Sequence, residues 1–403
     1  MTDPSPTEGN SLTLMLPSAA AVEDGGALAY RESPEPDHAY RSPFARDCGR
    51  ILHARAFRRL AGKTQVFTRS HSESDHSRSR LTHTLEVAQI ARTIAETLGL
   101  NIRLAEALAL VHDIGHPPFG HAGEKALDRA LQAHGLRFDH NLHALRIVTG
   151  FEQRCPAFPG LNLTLAVREG IVKHSRDYRA QEHPELSAYL LDQFPPIEAQ
   201  LIDLADEIAY LTADTEDGLE AGILDLDAVR DGVPLFARHY AQAAREFPAA
   251  PTRLLRNEAL KAMLNAMVTD LIEEIRRQVR ELGIDSLEAV RRAPRRIALL
   301  SAGLDPEREV ARRFLYANLY QSEMLEAEHR RASEIVQSLF DAWVSDPELL
   351  PDDHRLRVQS EGAPRAVADY IAGMTDSYIE SAWQSSNRHQ AGHPAGHLAD
   401  LGR

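Results

Sequence analysis

The chain has 403 residues, a formal net charge of -14 and 43% hydrophobic residues, a content that suits one large core or about two to three average domains. The negative charge argues against a protein that coats nucleic acid or anionic membranes non-specifically. The two cysteines, Cys48 and Cys155, form no CxxC pair, so neither a disulfide framework nor a thiolate zinc site is indicated. No signal peptide or membrane-spanning segment is recognisable, and we expect a cytoplasmic protein.

Hydrophobic periodicity predicts an all-α fold. Apolar residues recur at intervals of three or four, whereas no segment shows a sustained period of two, so at most one small hairpin is expected. Beyond a basic helix that begins near residue 51, the predicted helical segments are 80–100, 102–113, 121–134, 140–151, 161–174, 185–193, 197–218, 253–281, 305–345 and 363–382.

Composition divides the chain into three parts. Residues 1–38 are rich in Pro, Gly, Ser and Ala and are predicted to be a disordered N-terminal segment. Residues 39–383 are predicted to form one helical domain, with its core at about 79–218. Residues 384–403 are rich in Ser, Gly, His and Pro and are predicted to be a flexible tail.

The most informative stretch is residues 108–124, LALVHDIGHPPFGHAGE. The apolar pattern places His112 and Asp113 on the last turn of a helix, which the following Gly and Pro residues end. A second helix is expected near His121, with Glu124 on nearly the same face. Imidazole and carboxylate donors around a helix break indicate a metal and a reacting water rather than packing.

Nine of the nineteen histidines lie between residues 71 and 143. Imidazole and carboxylate together suit Mn, Fe, Co, Ni or Zn, and Mg less readily. His83 and the His112–Asp113 pair need one more carboxylate to close a four-ligand set. Asp203 and Asp206 are both candidates, and their spacing alone does not choose between them.

A polar strip follows Asp206 along the same predicted helix, because Tyr210 and Asp214 lie four and eight residues further on. A metal ligand at one end of this strip would leave a phenol and a carboxylate to line a pocket. Residues 41–80 contain ten Lys or Arg against three acids, which indicates a local basic surface suited to a phosphate ligand.

Several segments, in order, resemble the bacterial deoxynucleoside triphosphate triphosphohydrolases, which are dGTPase-like members of the HD-domain superfamily. The resemblance covers about residues 40–383. The HD pair alone is a weak signal, whereas six segments in the right order are a strong one. These segments are FRRLAGKTQVF (57–67), SRLTHTLEVAQIAR (79–92), HDIGHPPFGHAGE (112–124), FDHNLHALRIV (138–148), LADEIAYLTAD (204–214) and YIAGMTDSY (370–378).

The resemblance implies roles for twelve residues. Those that match the family's metal ligands are His83, His112, Asp113 and Asp206. Those that match substrate-binding positions are Gln65, Arg80, His116, His140, Tyr210 and Asp214, of which the first and the last two would hold the deoxyribose and the others phosphate oxygens. Those that match catalytic positions are His121, for proton transfer, and Glu124, which would orient it.

The implied activity is metal-dependent hydrolysis of a deoxynucleoside triphosphate (dNTP) to a deoxynucleoside and tripolyphosphate, in control of dNTP pools. Manganese is the expected ion, with Mg, Fe, Co, Ni or Zn as alternatives. The family also implies a homo-oligomer, a tetramer or hexamer, with possible allosteric dNTP or single-stranded nucleic acid sites. Related vertebrate enzymes carry a basic residue after the last ligand, whereas this chain has Glu207. The candidates for neutralising phosphate are therefore Lys63, Lys173, Arg312 and Arg313.

Two alternatives stay open. The first is an HD phosphohydrolase for another nucleotide, although His116 and Pro117 stand where alarmone hydrolases carry acids, and no GYP signature follows the HD pair. The second is a dNTP or single-stranded DNA sensor with little turnover. Serine hydrolases, P-loop enzymes and Rossmann enzymes are disfavoured because GxSxG, GxxxxGK[ST] and GxGxxG are absent from the sequence.

Overall fold

The computed structural model describes residues 15–66 and 78–390, and these residues are all-α as the sequence predicts. Within these two ranges, β-pairing is limited to isolated bridges such as Thr64 with Ser79. The helices are α1 (Pro43–His53), α2 (Arg55–Arg59), α3 (Arg80–Leu98), α4 (Ile102–Val111), α5 (Gly120–Gln132), α6 (His140–Arg146), α7 (Leu165–Lys173), α8 (Ile197–Glu220), α9 (Leu226–Gly232), α10 (Pro234–Glu246), α11 (Thr252–Glu281), α12 (Leu287–Arg291), α13 (Asp305–Leu315), α14 (Glu323–Ser345), α15 (Asp352–Glu361), α16 (Ala363–Ala372) and α17 (Asp376–Gln390).

The first core is built around α3, α4 and α8, which pack against one another. A capping box begins α3, because Ser79 accepts from the Thr82 amide and Thr82 accepts from the Ser79 amide. Gly99 ends the same helix in the left-handed conformation that favours glycine. The Asn101 side chain then caps α4. Two capped helices in close succession therefore fix the directions of the helices that carry His83 and His112.

A second core joins α5 to the C-terminal helices α14, α16 and α17. Leu127 and Leu131 from α5 are fully buried in it, together with Leu339 from α14 and Ile371 from α16. The helix that begins beside His121 is therefore held by residues more than two hundred positions later in the chain.

Residues 15–38 pack on the first core, which corrects the prediction that all of residues 1–38 are disordered. The Val22 amide donates to the Glu198 carboxylate at 2.9 Å, and Ala20 is fully buried. The composition suggested disorder, whereas a few apolar side chains and a buried acceptor on a distant helix order the segment.

The C-terminal helix α17 continues to Gln390, beyond the predicted domain end at residue 383. The predictions for residues 1–14 and 391–403 lie outside the described residues. Two long predicted helices are also interrupted. A π-type turn at Tyr316–Tyr320 separates α13 from α14, and Gly373 follows the end of α16. No helix in the described part of the chain is long and apolar enough to cross a membrane.

Candidate active site

Four predicted metal ligands converge from three helical segments. His83 comes from α3, His112 and Asp113 follow the end of α4, and Asp206 lies on α8. His83 Nε2 is 2.7 Å from Asp206 Oδ1, and His112 Nε2 is 3.5 Å from Asp113 Oδ2 and 3.8 Å from Asp206 Oδ1. One donor atom each from His83, His112 and Asp113 lies within 4.8 Å of the others, which is close enough to hold one ion.

The orientation of His112 fits a metal ligand. Its Nδ1 lies 2.7 Å from the Ala109 carbonyl oxygen, which favours the tautomer that leaves Nε2 as the lone-pair donor. This buried Nε2 finds no hydrogen-bond partner among residues 15–66 and 78–390. A buried nitrogen that faces two carboxylates, with its other nitrogen held, suits a divalent cation.

The structure separates the two aspartates between which spacing could not choose. Asp206 faces His83 and His112, whereas Asp203 lies one turn earlier and accepts from the Ser175 amide at 2.9 Å. The Asp206 side chain therefore lies in the cluster and that of Asp203 lies beside it.

His174, at the end of α7, is a site residue that the sequence analysis missed. Its Nδ1 is 2.7 Å from Asp203 Oδ1, its ring centroid is 5.3 Å from that of His112, and its Nε2 is 4.0 Å from Asp206 Oδ2. Burial lowers the pKa of His174, but the Asp203 carboxylate outweighs burial and raises it to about 8. No motif surrounds this histidine, so only the fold brings it to the cluster.

Asp113 is held in its ionised form. Burial raises the pKa of its carboxyl, but the positive charge of Arg80 and the neighbouring imidazoles of His112 and His116 outweigh burial and keep the pKa well below its usual range. Arg80 donates to Asp113 Oδ2 at 2.8 Å, and His116 Nδ1 lies 3.0 Å from Asp113 Oδ1.

A second histidine group surrounds Glu124 on α5. Glu124 Oε1 is 2.8 Å from His140 Nδ1, and Glu124 Oε2 is 3.3 Å from His121 Nδ1. Burial opposes ionisation of Glu124, but the hydrogen bonds with His121 and His140 hold its pKa well below the usual range. The ring centroids of His116 and His140 lie 4.0 Å apart. Burial and the charge of Arg80 lower the pKa of His116 well below its normal value. Three imidazoles are thus grouped around one carboxylate.

A cavity of about 850 Å³ extends from the two histidine groups. All predicted site residues except His112 and Glu124 line it. Tyr320, which also lines the cavity, donates a hydrogen bond to Asp214 Oδ2, while buried Asp214 Oδ1 has no hydrogen-bond partner within the described part of the chain. Tyr210 donates to Glu207 at 3.2 Å, and the Oε1 of Gln65 is likewise buried without a described partner. Unpaired oxygens on residues that line a cavity suit a polar ligand.

The basic stretch predicted at 41–80 is not one open phosphate surface in its described part. Arg50 pairs with Glu35 at 2.7 Å, and Arg78 pairs with Glu216 and Asp217. These acids come from other parts of the sequence, so the local charge count overstated the free positive charge.

The four basic side chains that were candidates for neutralising phosphate differ in where they lie. Lys63 Nζ donates to the carbonyl oxygens of His116 and Ala372, and Lys173 Nζ lies 2.8 Å from Glu169 Oε1. Both lysines are buried and already used, which corrects their candidacy. The cavity is lined instead by the exposed Lys125 and by the exposed Arg312 and Arg313, which both pair with Glu309, at 2.8 and 2.9 Å.

Comparison with known proteins finds two domain families in the chain. The HD domain matches residues 80–211, and the phosphohydrolase-associated domain matches residues 298–385. A relative from Thiobacillus denitrificans is 44% identical over 363 residues, which cover 90% of this chain and 94% of the relative. Relatives from Bordetella pertussis (42% over 372 residues, 91% and 96%) and Ralstonia pickettii (44% over 373 residues, 90% and 95%) share its name, deoxyguanosinetriphosphate triphosphohydrolase-like protein.

This chain belongs to the HD-domain family of deoxyguanosinetriphosphate triphosphohydrolase-like proteins. The resemblance predicted from the six segments is therefore confirmed. As an HD-domain protein of this family, the chain is a metal-dependent phosphohydrolase, and its His and Asp clusters are candidate metal-binding groups.

We expect Asp206→Ala to weaken Mn²⁺ binding by at least about tenfold, because it removes a carboxylate from the cluster and leaves His83 without its partner. Metal content after dialysis against Mn²⁺, measured by mass spectrometry, checks this. Glu220→Ala is the matched control, since it removes a carboxylate from the exposed end of the same helix, where Glu220 pairs with Arg256 at 2.8 Å. Equal metal content in the two variants would contradict the assignment of Asp206 as a ligand.

Proposed function

We propose that this protein hydrolyses deoxynucleoside triphosphates to a deoxynucleoside and tripolyphosphate, and so limits dNTP pools. The observation that carries the proposal is the order of groups along one cavity. The histidine group suited to phosphates meets the His/Asp cluster where His116 Nδ1 lies 3.0 Å from Asp113 Oδ1, and Tyr210 and Asp214, which suit a sugar, follow Asp206 along α8. The names of the relatives support the same substrate class.

His83, His112, Asp113 and Asp206 would hold the divalent ion, and Mn²⁺ is the ion we expect, with Mg²⁺, Fe²⁺, Co²⁺, Ni²⁺ or Zn²⁺ as alternatives. Such an ion, when bound, lowers the pKa of water and polarises a phosphate oxygen. Arg80 is held beside the cluster by Asp113 and faces the same cavity, so its guanidinium can bind phosphate oxygens there.

We assign to His121 the delivery of the proton that the leaving oxygen needs. Attack of water at the α-phosphorus forms a phosphorus–oxygen bond and breaks the bond to the 5′-oxygen, which must gain a proton. The His121 side chain is 72% exposed, and its Nδ1 faces the buried carboxylate of Glu124. Glu124 therefore orients the His121 ring so that its Nε2 points away from the Glu124 carboxylate. The centroid of the buried His116 ring lies 5.4 Å from that of His121.

The part of the cavity lining that contains Tyr210 and Asp214 suits a 2′-deoxyribose. Asp214 Oδ1 can accept a hydrogen bond from the 3′-hydroxyl, since Tyr320 already occupies the other carboxylate oxygen. The Tyr210 ring lies one helical turn before Asp214, and its hydroxyl is held by Glu207, which in turn accepts from Arg308 at 2.6 Å. A fixed ring beside the sugar would crowd a 2′-hydroxyl and so favour deoxynucleotides.

Three parts of the sequence analysis stay predictions: a homo-oligomer, an allosteric dNTP site and a single-stranded nucleic acid site. The acids paired with the basic stretch at 41–80 weaken the case for the last of these. The protein is proposed to act in the cytoplasm on free nucleotides.

The test of the proposed function is incubation of the purified protein with Mn²⁺ and each of the four dNTPs and four NTPs, with products resolved by anion-exchange chromatography. We expect tripolyphosphate and free deoxynucleoside from dNTPs and little product from NTPs. A His112→Ala preparation, purified in the same way, controls for contaminating phosphatases. Pyrophosphate or single phosphate as the product would overturn the proposed reaction.

We expect His121→Ala to lower kcat by about a hundredfold or more while the metal stays bound, because the variant lacks the proposed proton donor but keeps the four ligands. Steady-state kinetics and metal analysis of the same sample check this. His134→Ala, which removes an exposed histidine just after the same helix, should keep near-normal kcat. A kcat within a fewfold of the wild type for His121→Ala would rule out the assigned role.

Substrate affinity should depend on the charge of Asp214. Burial raises the pKa of Asp214 to about 7, against the opposing effect of the Tyr320 hydrogen bond. The carboxylate is therefore charged above about pH 7 and accepts a stronger hydrogen bond there. We expect KM for the preferred dNTP to rise about three- to tenfold from about pH 8 to about pH 6.

Asp214→Asn separates this effect from titration of the substrate itself. The variant has no charge to lose, so its KM should be high at both pH values and change little between them. A KM that varies with pH equally in both proteins would show that another group is responsible.

A further inference from the structure

The segment YIAGMTDSY (370–378) marks the chain as a family member, yet the proposed mechanism gives it no task. Asp376 within it is the first residue of α17. Its Oδ2 accepts from the Thr64 amide at 2.7 Å and from the Thr64 hydroxyl, and its Oδ1 accepts from the Phe119 amide at 2.9 Å. One carboxylate thus joins two segments that are far apart in the sequence.

Both segments lead directly into the cavity. Thr64 is followed by Gln65, whose buried Oε1 lacks a hydrogen-bond partner within residues 15–66 and 78–390 and lies in the cavity wall. Phe119 precedes the start of α5 and lies two residues before His121. The positions of a proposed sugar-binding group and of the proposed proton donor therefore both depend on the atoms that Asp376 binds.

The Phe119 backbone needs such support. Its φ of 61° is in the left-handed region, which costs a residue other than glycine on the order of 1 kcal/mol or more. The turn persists only if its surroundings hold it, and the hydrogen bond from the Phe119 amide to Asp376 is one such contact. Because this strained turn directly precedes α5, it sets the direction of the helix axis and with it the direction of the His121 side chain.

A second tie joins the same regions. The ammonium of buried Lys63 donates to the carbonyl oxygens of His116 and Ala372, so the residue before Thr64 is bound to the cavity wall and to the end of α16. Asp376 is therefore not an isolated surface contact. It lies in a small bridge through which the C-terminal helices reach the site.

We propose that Asp376 is a positioning residue of the active site, which fixes Gln65 and His121 relative to each other through Thr64 and Phe119. This inference rests on the proposed function for the roles of those two residues. The ordering of the two backbone segments by Asp376 is independent of any substrate and is tested separately.

Asp376→Asn is the sharpest variant. Asparagine has the same shape, but one of its two terminal atoms is an amide nitrogen that donates, so it cannot accept from both the Thr64 and the Phe119 amides. We expect kcat to fall about 10- to 100-fold, because small displacements of reacting groups have effects of this size. Metal content should stay unchanged, since the four proposed ligands lie on α3, α8 and the end of α4.

Glu380→Gln is the matched control. It also neutralises one carboxylate of α17, but Glu380 lies one turn after Asp376. Within the described part of the chain, the Glu380 carboxylate accepts a hydrogen bond only from the Arg331 guanidinium, at 3.5 Å. We expect its kcat, metal content and Tm to match those of the wild type. An equal fall of kcat in both variants would show a general effect of charge and would overturn the proposal, as would an unchanged kcat in Asp376→Asn.

Hydrogen–deuterium exchange gives a readout that needs no activity. In Asp376→Asn, the amides of Thr64 and Phe119 and the first turn of α5 should exchange faster, while those of α4 and α8 stay protected. Faster exchange in this variant, combined with a wild-type protein that is inactive towards dNTPs, would contradict the proposed function but keep the ordering role of Asp376. Unchanged exchange at Thr64 and Phe119 would overturn the ordering role itself.

Two further variants guard against simple loss of folding. Asp376→Glu keeps two acceptor oxygens but moves them by one methylene, so it should lose less kcat than the Asn variant. Thr64→Val removes only the hydroxyl donor, and its effect on kcat should be non-additive with that of Asp376→Asn, because both act through one contact. Strict additivity in this double-mutant cycle would contradict coupling through Thr64.

Discussion

Two carboxylates, that of the buried Asp113 and that of the half-buried Asp206, impose the constraint on which the rest of the structure depends. An ionised carboxylate taken out of water costs several kcal/mol unless cations and hydrogen-bond donors surround it. Arg80 supplies a positive charge to Asp113, and His83 contacts Asp206. Since these partners lie on different helices, α3, α4 and α8 must converge here for electrostatic reasons as well as to bury their apolar faces.

Much of the site could be predicted because its signals are local. The adjacent His112 and Asp113 at a helix end predict a metal cluster. Helical spacing predicts that Asp206, Tyr210 and Asp214 lie along one strip of a helix. The choice of Asp206 over Asp203 needed the resemblance to a family, because both occupy the same helix within one turn. The all-α class followed from periodicity, which depends only on neighbouring residues.

The remaining features could not be predicted because their causes are distant in the sequence. His174 reaches the cluster only through the packing of α7, and no motif marks it. The order of residues 15–38 depends on Glu198, a buried acceptor far along the chain. The excess of basic residues at 41–80 wrongly predicted an open basic surface for the same reason, since Arg78 is neutralised by acids on α8. Lys63, which looked like a phosphate ligand, binds two carbonyl oxygens instead.

The second hydrophobic core also bears on how the protein is made. The helices that carry the four proposed metal ligands belong to the first core, whose buried residues end at Leu325. Helix α5 instead buries Leu127 and Leu131 against α14, α16 and α17, which emerge last. Because domains fold as they emerge, from the N-terminus onward, the nascent chain assembles its ligand cluster before it can seat the helix that bears His121. During synthesis the protein can therefore bind an ion before it can catalyse the reaction, and it gains the second ability only when the C-terminal helices are complete.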